Sequence, residues 1–306
     1  MASHRFSVFW MGGILFSAAC GANGSARPAV DTGTNLDAIV VEGRPLSSPD
    51  AGPSIPSAQD AFPRDTLDAA WWTFQSVDPS YPTTTAQGGQ GDVTTYGGVN
   101  VSLTSSGGAC GYGATGIHYY AAINEHQVPG DRLGNWNNGR ICGQCARVWA
   151  VTKTGIKESF VRITDRCADG FCGIDLGGAP AAEIMDDSPG RYTGGWEFTS
   201  CAGHPQVSDG PIALYIKNGS SLGWSAIQVR NPDYPVAAIQ WGDTVTGQGG
   251  EIPYANGIFN FYLVPLAALS TPNPIQITAR FTDGSTKQIT LTPAQLGTAE
   301  ATYPFP

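Results

Sequence analysis

The chain has 306 residues, of which only 13% are charged, and it contains 40 glycines and 22 prolines. This composition favours turns and short strands over long helices. The net charge of -9 argues against nucleic-acid binding, which depends on cationic side chains that contact phosphates. No run of about 18 apolar residues is present, so the sequence predicts no transmembrane helix.

The N-terminus is predicted to be a signal peptide over residues 1–19, which directs the protein out of the cell. An apolar segment of h-region length, FSVFWMGGILF (residues 6–16), is followed by small residues that end in SAAC. This ending resembles a bacterial lipoprotein signal, in which Cys20 is lipidated and anchors the protein to a membrane at the cell surface. Ordinary signal-peptidase cleavage near Ala18 and Ala19 is the alternative, and it would give a secreted protein.

Export explains the use of cysteine. Six cysteines remain when Cys20 is set aside, and an even, clustered set in an exported chain predicts disulfides. Six cysteines allow 15 pairings, so the residues alone leave the connectivity open. Cys142 and Cys145 have a spacing typical of zinc ligands, but no second pair of that kind follows. We therefore predict neither a metal nor another cofactor. The six residues are Cys110, Cys142, Cys145, Cys167, Cys172 and Cys201.

A tether is predicted to link the N-terminus to the first domain. Residues 20–84 are rich in Pro, Ser, Gly and Ala and show no sustained hydrophobic period, which is typical of a flexible linker. The segment DAAWWTF (residues 68–74) interrupts this composition with apolar residues, and its role stays open.

Residues 85–205 are predicted to form the cysteine-bearing domain. ARVWAV (residues 146–151) and SFVRIT (residues 159–164) have the patterns of strands, with Gly155 in the turn between them. APAAEIM (residues 179–185) is the one convincing short helix. Many short strands with glycine-containing turns indicate a small β-barrel.

Residues 206–306 contain no cysteine and are predicted to form a second, all-β domain. About six short strands follow each other closely, and Asp283-Gly284 marks a hairpin between the last two. This density of strands indicates a β-sandwich. The predicted strands lie within IALYIKNG, AIQVRN, VAAIQW, FNFYLV, IQITARF and KQITLT.

Several motifs resemble those of bacterial expansins, over about residues 85–306. The segment NGSSLGWSAIQVRNPDYPV (residues 218–236) is similar to their second domain. TTYGG, GACGYG, CGQCARV, ITDRC and GIDLGGAPAAEI follow the motif order of their first domain. The resemblance implies an all-β protein with a six-stranded double-psi β-barrel followed by an immunoglobulin-like, carbohydrate-binding β-sandwich. It further implies a monomer that binds cellulose and matrix polysaccharides and loosens plant cell walls without hydrolysis.

In ITDRCADGFCGIDL (residues 163–176), Asp165 and Asp175 flank a loop between Cys167 and Cys172. They raise the question of glycosidase chemistry, which uses paired carboxyl groups. Family-45 glycoside hydrolases share the barrel and carry their acid in a motif like GIDL, which places Asp175 at the acid position. Their base position corresponds to Gly98, and glycine cannot take a proton from water. The resemblance therefore implies a protein that is not an enzyme. It also implies that Thr94, Tyr96 and Asp165 line a polysaccharide groove with Asp175.

The resemblance also implies an aromatic platform in the second domain, formed by Trp224 and Tyr254. An aromatic plane offers the flat face of a sugar ring a large contact area at low entropic cost. Gly223 stands where the family often has another tryptophan, so the platform is one ring shorter. Around Trp224 the side chains alternate, and the face that Trp224 shares with Ala226 and Gln228 is the less apolar one. We therefore expect Trp224 to point outward, whereas Trp241 is expected to be structural.

The family further implies three disulfides, which join Cys110 to Cys142, Cys145 to Cys201 and Cys167 to Cys172. Two other functions stay open. One is an endoglucanase or a peptidoglycan lytic transglycosylase on the same barrel, and the other is an adhesive surface module. The negative net charge predicts repulsion from acidic pectin and peptidoglycan.

Overall fold

The computed structural model describes residues 81–306, except for residues 98, 129–133, 186–189 and 256. The predicted signal peptide, the lipidation site at Cys20, nearly all of the predicted tether and Gly98 therefore lie outside the described residues. Within the described residues, no helix has the length and apolar character that crossing a membrane requires.

The first part of the described chain is a closed, mixed β-barrel, as predicted. Six strands follow the order β2-β6-β3-β5-β4-β7, and β7 pairs back with β2 to close the barrel. Two pairs, β2 with β6 and β3 with β5, are parallel. A further strand, β1, lies outside the closed barrel and forms a hairpin with β2. The elements are β1 (Thr83–Thr85), β2 (Gly88–Thr95), β3 (Tyr119–Asn124), β4 (Cys145–Thr152), β5 (Gly155–Cys167), β6 (Cys172–Gly178), α1 (Ala179–Ile184) and β7 (Arg191–Thr199).

Both strands predicted at 146–151 and 159–164 are present, and so is the helix after them. Gly155 was expected in the turn, but it is the first residue of β5 and pairs with Thr152. Alternate side chains of each strand fill the barrel with aliphatic and aromatic groups. The fully buried members include Val93, Ile123, Val148, Ile163, Ile174 and Trp196.

The second part of the described chain contains two four-stranded antiparallel sheets, with orders β11-β10-β13-β14 and β12-β9-β8-β15. Apolar side chains from both sheets share one core, which includes Trp241, as expected. The predicted hairpin joins β13 to β14, and Gly284 has a φ of +87°, which favours glycine. The elements are β8 (Ala213–Ile216), β9 (Ala226–Arg230), β10 (Val236–Asp243), β11 (Gly249–Ile252), β12 (Tyr262–Leu263), α2 (Leu266–Ser270), β13 (Ile275–Phe281), β14 (Thr286–Leu291), α3 (Pro293–Leu296) and β15 (Ala301–Pro304).

The barrel and the sandwich pack directly against each other within one compact unit. Trp224 is exposed, as expected, but Ala226 and Gln228 on the same face are fully buried. The Gln228 amide donates a 2.9 Å hydrogen bond to the carbonyl of Cys110, which belongs to the barrel. The expectation that this whole face points to solvent was therefore wrong, because a polar side chain can be buried where another domain satisfies it.

Candidate polysaccharide groove

The closest polar contact of the candidate groove joins Thr94 and Asp175. β2 and β6 run parallel, and their register places these two residues directly beside each other. The Thr94 hydroxyl donates a 2.6 Å hydrogen bond to Oδ1 of Asp175. Both residues are partly buried, so this carboxyl group is held in one orientation at the barrel surface.

Burial raises the pKa of Asp175 from its ordinary value of 3.8 to about 6, because the charged form loses hydration. The hydrogen bond from Thr94 and the positive charge of Arg191 act in the opposite direction, while Asp169 and Asp165 add to the increase. Asp175 is therefore a carboxyl group that takes up a proton near pH 6. In its neutral form it can both donate and accept hydrogen bonds.

Asp165 is positioned differently, because its carboxylate supports the backbone around it. Its Oδ1 accepts hydrogen bonds from the backbone N–H groups of Ala109, at 2.7 Å, and Arg166, at 2.8 Å. Gly108 packs so closely that an added Cβ atom would lie 2.2 Å from the carboxyl carbon. One oxygen of Asp165 is thus committed to fixing the turn at Gly108, and a contact between the other oxygen and a sugar stays a prediction.

Tyr96 lies close enough to Asp165 and Asp175 for the charges of both to act on its hydroxyl group. Burial raises its pKa, and the charges of Asp165 and Asp175 raise it further. Its ring packs against Ala122 and against the disulfide between Cys167 and Cys172. Asp175 and Asp165 pair with the same residue of β3, Ala122, from its two sides. The structure thus brings all four predicted groove residues together, namely Thr94, Tyr96, Asp165 and Asp175.

The described part of the chain contains three disulfides, and they are the pairs that the resemblance implies: Cys110–Cys142, Cys145–Cys201 and Cys167–Cys172. Such bonds are typical of oxidising, extracytoplasmic environments. The sulfur atoms of Cys167 and Cys172 and a carboxylate oxygen of Asp175 lie within 4.8 Å of one another. Because the two sulfurs are joined to each other, they are not available as thiolate ligands for a metal ion.

An ion-pair network beside the groove was missed in the sequence. Arg191 pairs with Asp92, which is only 1% exposed, and with Asp169 at 3.3 Å. Asp169 belongs to the loop that the Cys167–Cys172 disulfide closes, so Arg191 ties this loop to β2. The available signal was Asp92 itself, a charged residue two positions before Thr94.

Aromatic side chains at the disulfide loop were also missed. Phe171 is 36% exposed, and its ring contacts that of Tyr81 with centroids 4.8 Å apart. Their signal is weak, because an isolated Phe in a loop and a Tyr at the end of a Pro-rich segment are common without any role.

The two predicted platform residues differ in their surroundings. Trp224 is 40% exposed next to Leu222, which is 55% exposed. Tyr254 is half-buried, and the guanidinium group of Arg140 lies 3.9 Å from the centre of its ring. The Tyr254 hydroxyl also donates to the carbonyl of Asn138 at 3.3 Å, so this ring contacts the barrel. One face of Tyr254 is therefore occupied, and a shared sugar-binding platform with Trp224 stays a prediction.

Solved structures match this architecture. The expansin of Clavibacter michiganensis, both as an Asp-to-Asn mutant in complex with cellohexaose and in the apo form, matches with a TM-score of 0.50. The chain has the expansin fold. Sequence identity to these two expansin structures is 16% and 17%, over 67% of this chain and 91% of theirs. No protein-family model and no curated protein sequence matches this chain.

In this expansin fold the candidate groove and the exposed Trp224 belong to different parts, the barrel and the sandwich. Thr94 and Asp175 present a hydroxyl and a carboxyl group, whereas Trp224 presents an exposed apolar ring. Such an arrangement can hold a chain-like sugar by hydrogen bonds in one part and by stacking in the other.

Proposed function

We propose that this protein binds cellulose and matrix polysaccharides of plant cell walls and loosens them without cutting the sugar chain. Two features support a polysaccharide ligand. The expansin fold is shared with a protein whose structure is known in complex with cellohexaose, and a carboxyl group and a hydroxyl are fixed together at the barrel surface. We further propose that the predicted signal peptide directs the protein out of the cell, with or without lipidation at Cys20, and that the protein acts as a monomer.

The proposal that the sugar chain is not cut rests on the different surroundings of Asp175 and Asp165. Asp175 has the raised pKa that suits a proton donor. Asp165 uses one oxygen to hold two backbone N–H groups, which makes it a poor candidate for activating water. The sequence offers Gly98 at the base position. An acid without a base supports hydrogen bonding and proton sharing with a sugar, but not hydrolysis.

Loosening then follows from the energies of the contacts between glucan chains. Each net hydrogen bond between chains is worth about 0.5–1.5 kcal/mol, so a protein that binds one chain can offset several of them. Thr94 donates to Oδ1 of Asp175, and Oδ2 lies 3.9 Å from the sulfur of Cys167, which is in a disulfide and has no hydrogen to donate. We therefore assign the proton of neutral Asp175 to Oδ2, from which it can be donated to a sugar oxygen. We expect loosening to decrease as the pH rises through about 6, where Asp175 loses its proton.

A second candidate function is a hydrolase or lytic transglycosylase on the same barrel, and the raised pKa of Asp175 favours it as well. The deciding experiment compares wild type with Asp175→Asn, which keeps the shape and removes the titrating proton. Extension of plant wall strips under load and release of reducing sugar from cellulose and peptidoglycan are measured together.

We expect wild type to extend the walls with no sugar release above a buffer blank. Asp175→Asn should lose wall extension, because an amide can donate a hydrogen bond but cannot share or give up a proton as a carboxylic acid does. Its affinity for cellulose should stay within about twofold, because distant sites act nearly independently. Steady sugar release by wild type that disappears in Asp175→Asn would make the protein a hydrolase and would contradict the proposal.

A further inference from the structure

The outer face of the barrel has a trough that lies apart from the Thr94–Asp175 pair and contains an indole ring and several polar side chains. It is formed where β1 extends the sheet made by β4, β7 and β2. Two neighbouring rows of directly paired residues cross these four strands. Residues that are paired, or two apart along a strand, share one face of a sheet. The rows are Trp149, Gly195, Gln90 and Thr83, and then Arg147, Glu197, Gly88 and Thr85.

Glycine forms the floor of this Trp149 trough. Gly195 lies beside Trp149 in the first row, and a Cβ atom there would be 2.5 Å from Cζ2 of Trp149. The indole ring therefore lies down over Gly195, against the sheet, and it remains partly exposed to solvent. Gly88 takes the middle of the second row, so no side chain fills the space between Glu197 and Thr85.

The walls of the trough are mostly apolar, and a few polar side chains stand among them. The cavity has a volume of about 270 Å³. Its apolar lining comes mainly from Trp149 and Trp196, and its polar side chains are Glu197, Thr83, Thr85, Gln87 and Gln90. Among the described residues, the side chains of Gln87, Gln90 and Glu197 have no hydrogen-bond partner. These amides and the carboxylate are thus available to a ligand.

This combination fits a pyranose. The apolar face of a sugar ring stacks on an indole, while its hydroxyl groups need the amide, hydroxyl and carboxylate partners that the polar side chains of the trough supply. The volume lies just below the range of roughly 300–1,000 Å³ that is usual for drug-sized ligands, which suits one or two sugar units. The charge of Glu197 disfavours an anionic uronate and favours a neutral sugar.

We propose that the Trp149 trough is a second sugar-binding site of the barrel, which takes one or two pyranose units of a neutral glucan. Along β2, Gln90 is four residues from Thr94, or about 13 Å, so the trough does not include the Thr94–Asp175 pair. The choice of a glucan among neutral pyranoses rests on the proposed function, whereas the site itself rests on the geometry of the trough.

The test uses the full exported chain, with cellohexaose as the probe and trigalacturonate as the anionic comparison. The indole N–H signal of Trp149, assigned by its loss in Trp149→Phe, is followed by two-dimensional NMR during titration. We expect cellohexaose to shift this signal in wild type and in Asp175→Asn, and trigalacturonate to leave it in place. Gln90→Ala should weaken the binding by about 2- to 10-fold, since one neutral hydrogen bond is lost.

Matched controls separate a local effect from a general one. Gln276→Ala removes an exposed amide from β13 of the sandwich and should leave the titration unchanged. Trp149→Phe also alters the packing over Gly195, so the exposed Gln90 provides the variant that folds normally.

Each other outcome counts against the proposal. An unmoved Trp149 signal at millimolar cellohexaose, in a protein that still binds cellulose, would overturn the trough and leave the proposed function intact. The indole would then serve only to cover Gly195. A shift that is lost in Asp175→Asn would mean that there is one groove and no second site. If wild type binds neither cellohexaose nor cellulose, the sugar site in the trough and the proposed function are both wrong.

Discussion

The hydroxyl group of Thr94 donates a 2.6 Å hydrogen bond to Oδ1 of Asp175, a residue 81 positions further along the chain. Parallel pairing of β2 with β6 creates this contact. It orients a carboxyl group whose pKa burial raises to about 6, and it leaves Oδ2 as the oxygen that can carry the proton.

Removal of the Thr94 hydroxyl should raise the pKa of Asp175 further. The hydrogen bond from Thr94 stabilises the charged carboxylate and lowers its pKa. In Thr94→Ala we therefore expect the titration of the Asp175 carboxyl carbon, followed by NMR, to move to a higher pH than in wild type. Thr94→Ser keeps a hydroxyl donor and serves as the control. Equal midpoints in wild type and Thr94→Ala would show that this hydrogen bond does not tune the acid.

Asp175 should make the stability of the folded protein depend on pH. Its pKa is raised from 3.8 to about 6 on folding, so between these values the folded state keeps a proton that the unfolded chain releases. Stability from this group is fully present below about pH 4 and decreases as the pH rises towards 6. The free energy of unfolding of wild type, relative to Asp175→Asn, should fall by at most about 3 kcal/mol between pH 4 and 7.

Urea unfolding of both proteins at pH 4, 5, 6 and 7 measures this difference, because every other titrating group is common to the two chains. Parallel stability curves across these pH values would contradict the raised pKa of Asp175.

Arg191→Met should destabilise the protein because it leaves the buried carboxylate of Asp92 unpaired. Asp92 is 1% exposed and pairs with Arg191, and removing one partner of such a pair costs about 3 kcal/mol. Chemical denaturation at pH 7 measures the loss, and Asp92→Asn in the same chain should recover part of it. Arg147→Met disrupts the exposed pair with Glu158 and should cost less than about 1 kcal/mol. Equal losses in the two Arg variants would refute the structural role of Arg191.

Trp224→Ala should weaken cellulose binding by about 1–3 kcal/mol, the value of one large aromatic contact. The ring is 40% exposed, so the melting temperature should change little. Depletion of the protein from solution by microcrystalline cellulose measures the affinity. Leu266→Ala, at a residue that is 60% exposed in the same sandwich, is the control and should bind like wild type. A large fall in melting temperature on Trp224→Ala would show that the ring stabilises the fold.

Peptide mapping without reduction should recover the three disulfides seen in the structure, namely Cys110–Cys142, Cys145–Cys201 and Cys167–Cys172. Cys20 is predicted to be lipidated or, after ordinary signal-peptidase cleavage, to stay unpaired, so it should appear in no bridge. Mass spectrometry of the exported protein tests both points, and a bridge that includes Cys20 would contradict the pairing.

The sequence by itself predicted the local structure well. Strands such as β4 and β5, the helix α1 and the β13–β14 hairpin follow from alternation of side chains and from turn residues close together in the chain. The pattern in ITDRC and GIDL also singled out Asp165 and Asp175. These features are local, so nearby residues are enough to specify them.

The tertiary structure alone decided which residues meet. The sequence predicted that Gln228 faces solvent, but its amide is buried and donates a hydrogen bond to the barrel. The alternation of side chains along a strand separates its two faces, but it does not indicate what covers each face. The pair of Arg191 with Asp92 and the hydrogen bond of Thr94 to Asp175 join residues 99 and 81 positions apart. Such contacts depend on strand register across the closed barrel, which no short segment of sequence encodes.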